Sequence, residues 1–379
     1  MTLTDAPASG MTRRAVLHRV PMAHPGDMSA IEVLIDAGRL DPASIVAILG
    51  KTEGNGCVND FTRAYAVAEL GTMLAARLGV SRDTVLERVA MVMSGGTEGG
   101  LSPHFLVLAV TESPDRPVPG GALAVGTAFT PSFRPEEIGR MPQLEATADA
   151  VRNAMRHAAL SDPEQVHFVQ VKCPLLTTAR VADAASRGQD VATADTYESM
   201  GLSRGASALG VALALGEVAP EKLSDAAIGA DLSLWSGRAS ASAGVELVRN
   251  EVIVFGVSPH WAGDLTIAHA VMKDAIDLPA VQSALRGVGL GAASGQLSPE
   301  QAERLVALLV KAEPSSTGSI RGRRHIMWDD SDINATRHAR ALVGGVVAAA
   351  VGRTDLFVSG GAEHQGPDGG GPVAVIARR

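Results

Sequence analysis

The sequence predicts an α+β protein built from three homologous repeat units around an internal pseudo-threefold axis, with one active site at the centre. First, one order of signals occurs three times in the 379 residues: an apolar strand ending in Lys, a helix carrying Arg, and a Ser-x-Gly-x-Glu stretch. Second, Pro/Gly-rich segments at 112–121 and 256–264 fall between the copies. Third, strands alternate with amphipathic helices, which favours helices on one face of each sheet. The predicted units are 1–113, 122–257 and 264–379.

The first unit contains the strand "SIVAILGK", which ends at Lys51, and the helix "NDFTRAYAVAELGTMLAARLG" with Arg63. It ends with "RVAMVMSGGTEGG", a predicted strand followed by a Ser-Gly turn that carries Ser94, and we expect the serines of the other two units in equivalent turns. The stretch "ILGKTEGNG" looks like the end of a phosphate-binding loop. That loop needs a glycine five positions before the Gly-Lys pair, but Ile45 stands there. Glycines and Asn, which would not extend a helix, also follow the Lys. The sequence therefore excludes a nucleotide loop.

Two shorter helices are predicted in the same unit from their start signals. Asp27 is the expected N-cap of "GDMSAIEVLIDAG", and Ser81 is the expected N-cap of "SRDTVLERVA".

The second unit repeats the order with "VHFVQVK", which ends at Lys172, and with Arg204 at the expected start of the helix "GLSRGASALGVALALG". Its last signal is "SASAGVEL", where the Ser-x-Gly-x-Glu alignment selects Ser242. Ser240 is a rival nucleophile that the alignment disfavours. Gly244 and Glu246 complete this copy of the motif.

The third unit starts with "LVALLVK", ending at Lys311, and closes on "DLFVSGGAEHQG" with Ser359. Its helix "INATRHARALVGGVVAAAVG" offers two arginines one turn apart. Alignment of the repeats favours Arg337, and Arg340 stays open as the alternative.

Composition narrows the class of protein. With 46% hydrophobic and 20% charged residues the chain is globular, and its length exceeds that of one ordinary core. A net charge of −8 without Lys/Arg-rich runs argues against nucleic acid as a partner. The polar N-terminal stretch "MTLTDAPASGMTRR" and the absence of a long apolar run predict neither signal peptide nor membrane span. Two cysteines provide no disulfide framework, so a cytoplasmic protein is expected.

Three Lys, Arg and Ser sets around one axis point to chemistry on a small ring. Serine is a weak nucleophile without a base, and a lysine desolvated at the end of an apolar strand can serve as one. Forked arginine donors suit several carbonyl oxygens at once. The implied ligand is small, flat, carbonyl-rich and nearly threefold symmetric. The competing interpretation is solvated lysines, surface ion pairs and simple Ser-Gly turns, or a module that binds a planar metabolite without catalysis.

Several long motifs resemble the cyanuric acid hydrolase/barbiturase family over essentially the whole chain. They are "GKTEGNGCVNDFTR", "VMSGGTEGGLSPH", "SASAGVEL", "RGRRHIMWDDSDINATRHARALVGG" and "SGGAEHQGPDGGGP". The resemblance implies the threefold fold, homotetramers, and hydrolytic opening of the s-triazine ring of cyanuric acid to carboxybiuret, which decarboxylates to biuret. Barbiturate is the alternative substrate, although the longest motif favours cyanuric acid.

The resemblance also implies roles for individual residues. Ser242 would be the nucleophile and Lys172 the base that activates it. The remaining positions would bind substrate: Lys51, Arg63, Ser94, Gly95, Arg204, Lys311, Arg337, Arg340, Ser359 and Gly360.

No organic cofactor is expected, but the resemblance implies a structural Mg²⁺ or Ca²⁺ in the last loop. One carboxylate with backbone carbonyls suits such a hard cation. The matching positions are Glu313, Ala362, Gln365, Gly366, Pro367 and Gly370.

Overall fold

The computed structural model describes residues 10–292 and 294–379. Residues 1–9 lie outside the described residues. They are the start of the first predicted unit and most of the polar N-terminal stretch. Within the described ranges the strands form three larger sheets and a two-stranded ribbon. The strands are β1 (Thr12–Pro21), β2 (Ile45–Thr52), β3 (Ala90–Gly95), β4 (His104–Ser113), β5 (Ala122–Phe129), β6 (Val166–Pro174), β7 (Ala239–Gly244), β8 (Glu251–Ser258), β9 (Trp261–Ala262), β10 (Leu265–Met272), β11 (Leu305–Ala312), β12 (Ser319–Ile320), β13 (Arg323–Arg324), β14 (Phe357–Gly360) and β15 (Gly371–Arg378).

The three larger sheets share one strand order. The first sheet runs β3-β2-β4-β1, the second β7-β6-β8-β5 and the third β14-β11-β15-β10. In each sheet the first pair is parallel and the next two pairs are antiparallel. The short strand β9 extends the first sheet by pairing in parallel with β1, although it lies in the second Pro/Gly-rich segment.

An irregularity recurs at the start of the three strands that carry the lysines. The register against the antiparallel neighbour shifts between Ile45 and Ala47, between Val166 and Phe168, and between Leu305 and Ala307. Each shift begins six residues before the lysine of its strand. β-Bulges of this kind redirect the side chains that follow them, so the lysines leave the three strands from equivalent geometry.

Helices pack against the three sheets, and capping side chains fix where the arginine-bearing ones begin. Asp60, Asp195 and Asn334 accept hydrogen bonds from backbone N–H groups in the first turns of their helices. Ser81 caps another helix as predicted. The helices are α1 (Ser29–Asp36), α2 (Phe61–Leu78), α3 (Arg82–Arg88), α4 (Met141–His157), α5 (Thr178–Ser186), α6 (Thr196–Ala214), α7 (Leu278–Gly287), α8 (Pro299–Arg304) and α9 (Ala335–Val351).

Three local expectations were wrong. Asp27 is not the N-cap of α1, because the helix starts one residue later and Met28 takes that position. Arg204 is not at a helix start, because the Asp195 cap begins α6 two turns earlier. The serines do not sit in turns: Ser94, Ser242 and Ser359 lie inside β3, β7 and β14.

The hydrophobic core consists of one large cluster and several smaller ones. The large cluster joins all three sheets through residues such as Leu49, Phe168 and Leu309, and it also includes residues of α4 and α6. Two smaller clusters lie between the first and third sheets and their own helices, and another lies between α4, α6 and the segment that follows α6. Because side chains alternate along a strand, Lys51 shares the central face with Leu49, while Ile48 packs under the helices of the first sheet. The lysines therefore leave the strands toward the region between the sheets.

Two expectations from composition can be compared with the structure. Both cysteines are free thiols. In the described ranges, no helix combines the length and the apolar character that crossing a membrane requires.

Candidate active site

Each predicted lysine lies directly beside the predicted serine of its own unit. In the parallel strand pairs the Cα partners are Lys51 with Ser94, Lys172 with Ser242, and Lys311 with Ser359. All six side chains are buried. The sequence order of Lys and Ser is thus converted into three side-by-side pairs by one strand register.

The three pairs meet because each lysine also reaches into another sheet. Lys51 Nζ donates to the carbonyl of Val358 at 2.6 Å, Lys172 Nζ to that of Met93 at 2.6 Å, and Lys311 Nζ to that of Ala241 at 2.8 Å. In every case the acceptor is the residue just before a serine. The contacts run from the first sheet to the third, from the third to the second, and from the second to the first. A closed ring of this kind places all three pairs around one centre.

Two of the pairs are hydrogen-bonded and one is not. Lys51 Nζ lies 3.3 Å from Ser94 Oγ, and Lys311 Nζ lies 3.2 Å from Ser359 Oγ. In the described part of the chain, Lys172 and Ser242 make no hydrogen bond between their side chains.

Lys172 and Ser242 have other side-chain partners. Lys172 Nζ forms an ion pair with Glu246 Oε1 at 2.9 Å. Ser242 Oγ and Ser359 Oγ are 3.0 Å apart and share a hydrogen bond. Because Glu246 is almost as buried as Lys172, this ion pair is shielded from solvent.

Burial affects the pKa of all three lysines. It lowers the pKa of Lys51 well below the ordinary lysine value and the pKa of Lys311 to about 7. Burial also lowers the pKa of Lys172, although the carboxylate of Glu246 opposes this shift. An amine that loses its charge preference in a desolvated position can accept a proton from a neighbouring hydroxyl.

The arginines reach the centre from the three capped helices. Arg204 forms a bidentate pair with Glu363 (2.7 and 2.6 Å), and Arg340 forms one with Glu98 (2.8 and 2.5 Å). Arg63 differs, because it donates to two backbone carbonyls, those of Ala243 and Cys57.

Of the two arginines left open in the third unit, Arg340 is the buried one. Its side chain is 4% exposed, whereas that of Arg337 is 41% exposed, and both contact Glu98. A small pocket opens beside Arg204, Arg340 and Gly360, and residues of all three predicted units line it, including Cys57 and Tyr197. Arg337 does not line this pocket.

Of the residues predicted to hold a cation, Glu313 contacts Ala362 at the start of the last loop. Glu313 follows β11, and its carboxylate accepts a hydrogen bond from Ala362 N at 3.2 Å. Burial and the neighbouring Glu363 raise the pKa of Glu313, an unfavourable position for a carboxylate that a nearby cation would relieve. Gln365 Oε1 already accepts from Ala241 N, so the loop offers mainly backbone carbonyls.

The described residues contain no cluster of three or more His, Cys, Asp or Glu side chains that could hold a metal. The predicted set, with one carboxylate and several carbonyls, is of a different kind and fits a hard cation.

Two buried glutamates near Lys172 were given no role from the sequence. Glu246 carried a signal, since it ends the second copy of Ser-x-Gly-x-Glu. Glu251 carried none; it is the antiparallel register partner of Lys172 and accepts a hydrogen bond from Met91 N at 2.7 Å. Burial raises the pKa of Glu251 to about 7. The contact between Glu251 and Met91 joins two sheets, and contacts of that kind have no periodic pattern in the sequence.

The chain is similar to known proteins over nearly its whole length. Residues 16–378 match the family described as amidohydrolase ring-opening protein. Cyanuric acid amidohydrolase from Ectopseudomonas oleovorans is 59% identical over 361 residues, covering 95% of this chain and 98% of that protein. Its namesake from Enterobacter cloacae is 56% identical over 368 residues, covering 96% and 99%.

Solved structures agree with these relatives. One cyanuric acid hydrolase structure superimposes with a TM-score of 0.93 at 52% identity, covering 97% of this chain and all (100%) of the other. The cyanuric acid hydrolase from A. caulinodans gives a TM-score of 0.88 at 54% identity, covering 97% and 99%. The mixed α+β fold predicted from the sequence is therefore confirmed.

Proposed function

This chain belongs to the amidohydrolase ring-opening protein family, and from that premise we propose that it hydrolyses cyanuric acid by opening the s-triazine ring. The observation that carries the proposal is the meeting of three Lys, Ser and Arg sets at one buried centre in a chain 56–59% identical to cyanuric acid amidohydrolases. Cyanuric acid is a planar ring with three carbonyl groups, so its symmetry corresponds to that of the side chains around it. Since these relatives are named for hydrolysis, the module without catalysis has no further support.

The same symmetry supports three homologous units, 1–113, 122–257 and 264–379, around a pseudo-threefold axis. The shared strand order, the recurring register shift and the ring of lysine contacts each repeat three times. The solved relative with the TM-score of 0.93 is described as an evolutionary innovation by structural concatenation, which agrees with this division.

In the proposed reaction Ser242 is the nucleophile and Lys172 is its base. Neutral Lys172 takes the Ser242 hydroxyl proton while Oγ forms a bond to a ring carbonyl carbon. The C–N bond of that carbonyl then breaks, and the Lys172 ammonium returns the proton to the departing nitrogen. Water, activated by the same amine, hydrolyses the resulting ester and releases carboxybiuret, which loses carbon dioxide to give biuret.

The other two pairs hold the ring. Lys51 with Ser94 and Lys311 with Ser359 keep their hydrogen bonds and present donors to the remaining carbonyl oxygens. The backbone at Gly95 and Gly360, next to those serines, lets a flat ring come close. We assign Arg63, Arg204 and Arg340 as the forked donors around the ring, with Arg337 in a supporting position on Glu98.

We also propose a structural Mg²⁺ or Ca²⁺ held by Glu313 and by the loop positions Ala362, Gln365, Gly366, Pro367 and Gly370. Such an ion supplies charge compensation to Glu313 and fixes the loop that follows Ser359; no chemical step needs it. Chelation should lower the melting temperature, and added Mg²⁺ or Ca²⁺ should restore it by mass action. Glu313→Gln should remove this response, and a response that survives in the variant would contradict the site.

The assay that tests the function compares purified protein on cyanuric acid and on barbiturate, at matched concentrations. We expect faster turnover of cyanuric acid, with biuret and carbon dioxide as products. Faster turnover of barbiturate would instead select the barbiturase alternative. Light scattering on the same sample tests the predicted homotetramer, and the cytoplasmic location likewise stays a prediction.

A further inference from the structure

The three glutamates of the Ser-x-Gly-x-Glu motifs do not have equivalent partners. Glu98 and Glu363 each accept two hydrogen bonds from the guanidinium of an arginine in another unit. Glu246 forms its ion pair with Lys172, 2.9 Å away. Among the described residues, Lys172 is the lysine that has a carboxylate within ion-pair distance. The base proposed for the reaction is thus distinguished from Lys51 and Lys311 by a charge partner.

The local backbone is built to let Glu246 fold back toward the lysine. A Cβ on Gly244 would stand 2.1 Å from Glu246 Oε2, so any side chain there would displace the carboxylate. The displaced atom is the end of a flexible side chain, so the strand itself would not need to move. Gly244 therefore leaves free the space that the carboxylate occupies, without being part of the catalytic pair.

Charged groups from several elements surround the Lys172–Glu246 pair. Arg63 from α2 disfavours the charged form of Lys172 and favours that of Glu246. Glu251 from β8 interacts electrostatically with both members of the pair, and Cys173 is the residue after the lysine. The carboxylate of Glu246 also favours the charged form of Arg180 from α5. Burial opposes ionisation of Glu246, but Lys172 and Arg63 outweigh burial and lower its pKa. Lys172 and Glu246 therefore each favour the charged form of the other.

Resting on the proposed function, we propose that Glu246 is a positioning residue that holds Lys172 away from Ser242 in the free enzyme and keeps a proton on its amine. As the pH rises this proton passes to solvent. Neutral Lys172 then takes the Ser242 proton and returns it to the departing nitrogen, so the cycle consumes no further acid or base.

The test observes Lys172 directly, because the chain has only five lysines: Lys51, Lys172, Lys222, Lys273 and Lys311. Their ¹³Cε signals, labelled in the whole protein, can be followed against pH, and Lys172→Met identifies the signal of Lys172. In Glu246→Gln the carboxylate charge is lost, so the Lys172 midpoint should fall by about one pH unit. Gly244→Ala should move it in the same direction, since it displaces the carboxylate without removing it.

Glu98→Gln is the matched control, because Glu98 favours the charged form of Lys51. It should lower the Lys51 midpoint and leave that of Lys172 in place. An unchanged Lys172 midpoint in both Glu246→Gln and Gly244→Ala would overturn the proposal. This reading does not depend on activity, so it stays separate from a failure of the proposed function, which would show as no hydrolysis by the wild type.

Kinetics then separate positioning from a purely structural role. In Glu246→Gln the rise of kcat/KM with increasing pH, which we call the limb, should occur at lower pH. The plateau of kcat should fall by about tenfold or more, because Lys172 is then a weaker base. Glu246→Asp keeps the charge and should return the limb toward that of the wild type. A lower kcat with the limb unmoved in Glu246→Gln would contradict the proposal.

Discussion

The Lys172–Ser242 pair and the two pairs that flank it share a backbone but differ in their polar contacts. All three sit in the same strand register, and all three lysines donate to a carbonyl of another sheet. In the flanking pairs the lysine touches its own serine, whereas Lys172 contacts Glu246 and Ser242 contacts Ser359. One strand register, present in three sheets, thus creates three possible centres, and the polar and charged contacts of each one distinguish them.

The assignment of Ser242 as nucleophile and Lys172 as base has one rival in the third unit. Lys311 is hydrogen-bonded to Ser359, and its pKa of about 7 suits a base near neutral pH. On static geometry alone that pair is the rival of Lys172 and Ser242. The predictions below distinguish the centres by comparing equivalent substitutions.

The largest expected effect is from removing the nucleophile. Ser242→Ala should lower kcat by about a thousandfold or more, because the proposed ester forms on Ser242 Oγ. Ser94→Ala and Ser359→Ala should mainly raise KM, since each removes a contact to a carbonyl of the ring. Steady-state kinetics on the three variants check this, with circular dichroism to confirm folding. A larger loss of kcat in Ser359→Ala would move the chemistry to the third unit.

Removing the base should cost nearly as much. Lys172→Met keeps the volume of the side chain but leaves Ser242 without a proton acceptor, so kcat should fall by a factor comparable with Ser242→Ala. Lys51→Met and Lys311→Met should raise KM and lower kcat less. Lys51→Met and Lys311→Met each leave two backbone carbonyls without their donor, at a cost of about 1–3 kcal/mol per carbonyl in the free energy of unfolding. Lys172→Met leaves the Met93 carbonyl and the Glu246 carboxylate unpaired. Denaturant titrations measure these losses of stability, and only Lys172→Met should combine its loss with a fall in kcat as large as that of Ser242→Ala.

The pH profile gives an intermediate effect with a definite sign. Burial lowers the pKa of Lys172 and favours the neutral amine, which is the form that accepts the Ser242 proton. Activity should therefore rise with pH as Lys172 loses its proton, at a pH below the value of about 10.4 for free lysine. Measuring kcat/KM from neutral to alkaline pH tests this, with substrate ionisation corrected separately. A flat profile over that range would count against a lysine base.

The smallest expected effect separates the two arginines of the third unit. Arg340 is buried against Glu98 beside Gly360, so Arg340→Ala should raise KM by about tenfold or more, as expected for losing hydrogen bonds to a charged group. Arg337 is far more exposed, and its ion pair contributes little. Arg337→Ala should therefore change KM by less than about threefold. The reverse order would restore the assignment that alignment of the repeats favoured.

The sequence predicted features that have a local pattern. Strand-end lysines, the order of Lys, Arg and Ser, and the Ser81 cap could all be read from spacing, and the register confirms that each Lys neighbours its Ser. The start of α6 was placed too late because the Asp195 cap stands before a stretch without a clear apolar stripe. The serines were expected in turns because glycine follows or surrounds them, yet β3, β7 and β14 continue through them.

Contacts between units could not be predicted in the same way. Lys51 reaches Val358 across 307 positions of sequence, and no periodicity links the two. The partner of Glu246 could not be predicted for a related reason. Three copies of one motif predict that their glutamates have equivalent partners. In the structure, however, Arg63 donates to backbone carbonyls, and Glu246 pairs with Lys172. Symmetry of sequence is visible in the chain, but the departures from symmetry that select one centre appear only after folding.

The most direct test of the account is to find the serine that carries the covalent intermediate. Protein mixed with cyanuric acid is quenched in acid within the first turnover, digested and mapped by mass spectrometry. Ring opening releases no fragment before water attacks, so the modified peptide gains the mass of one whole substrate molecule. We predict this mass on the peptide that contains Ser242, and its absence in Lys172→Met. The same mass on the peptide of Ser94 or Ser359 would contradict the central claim.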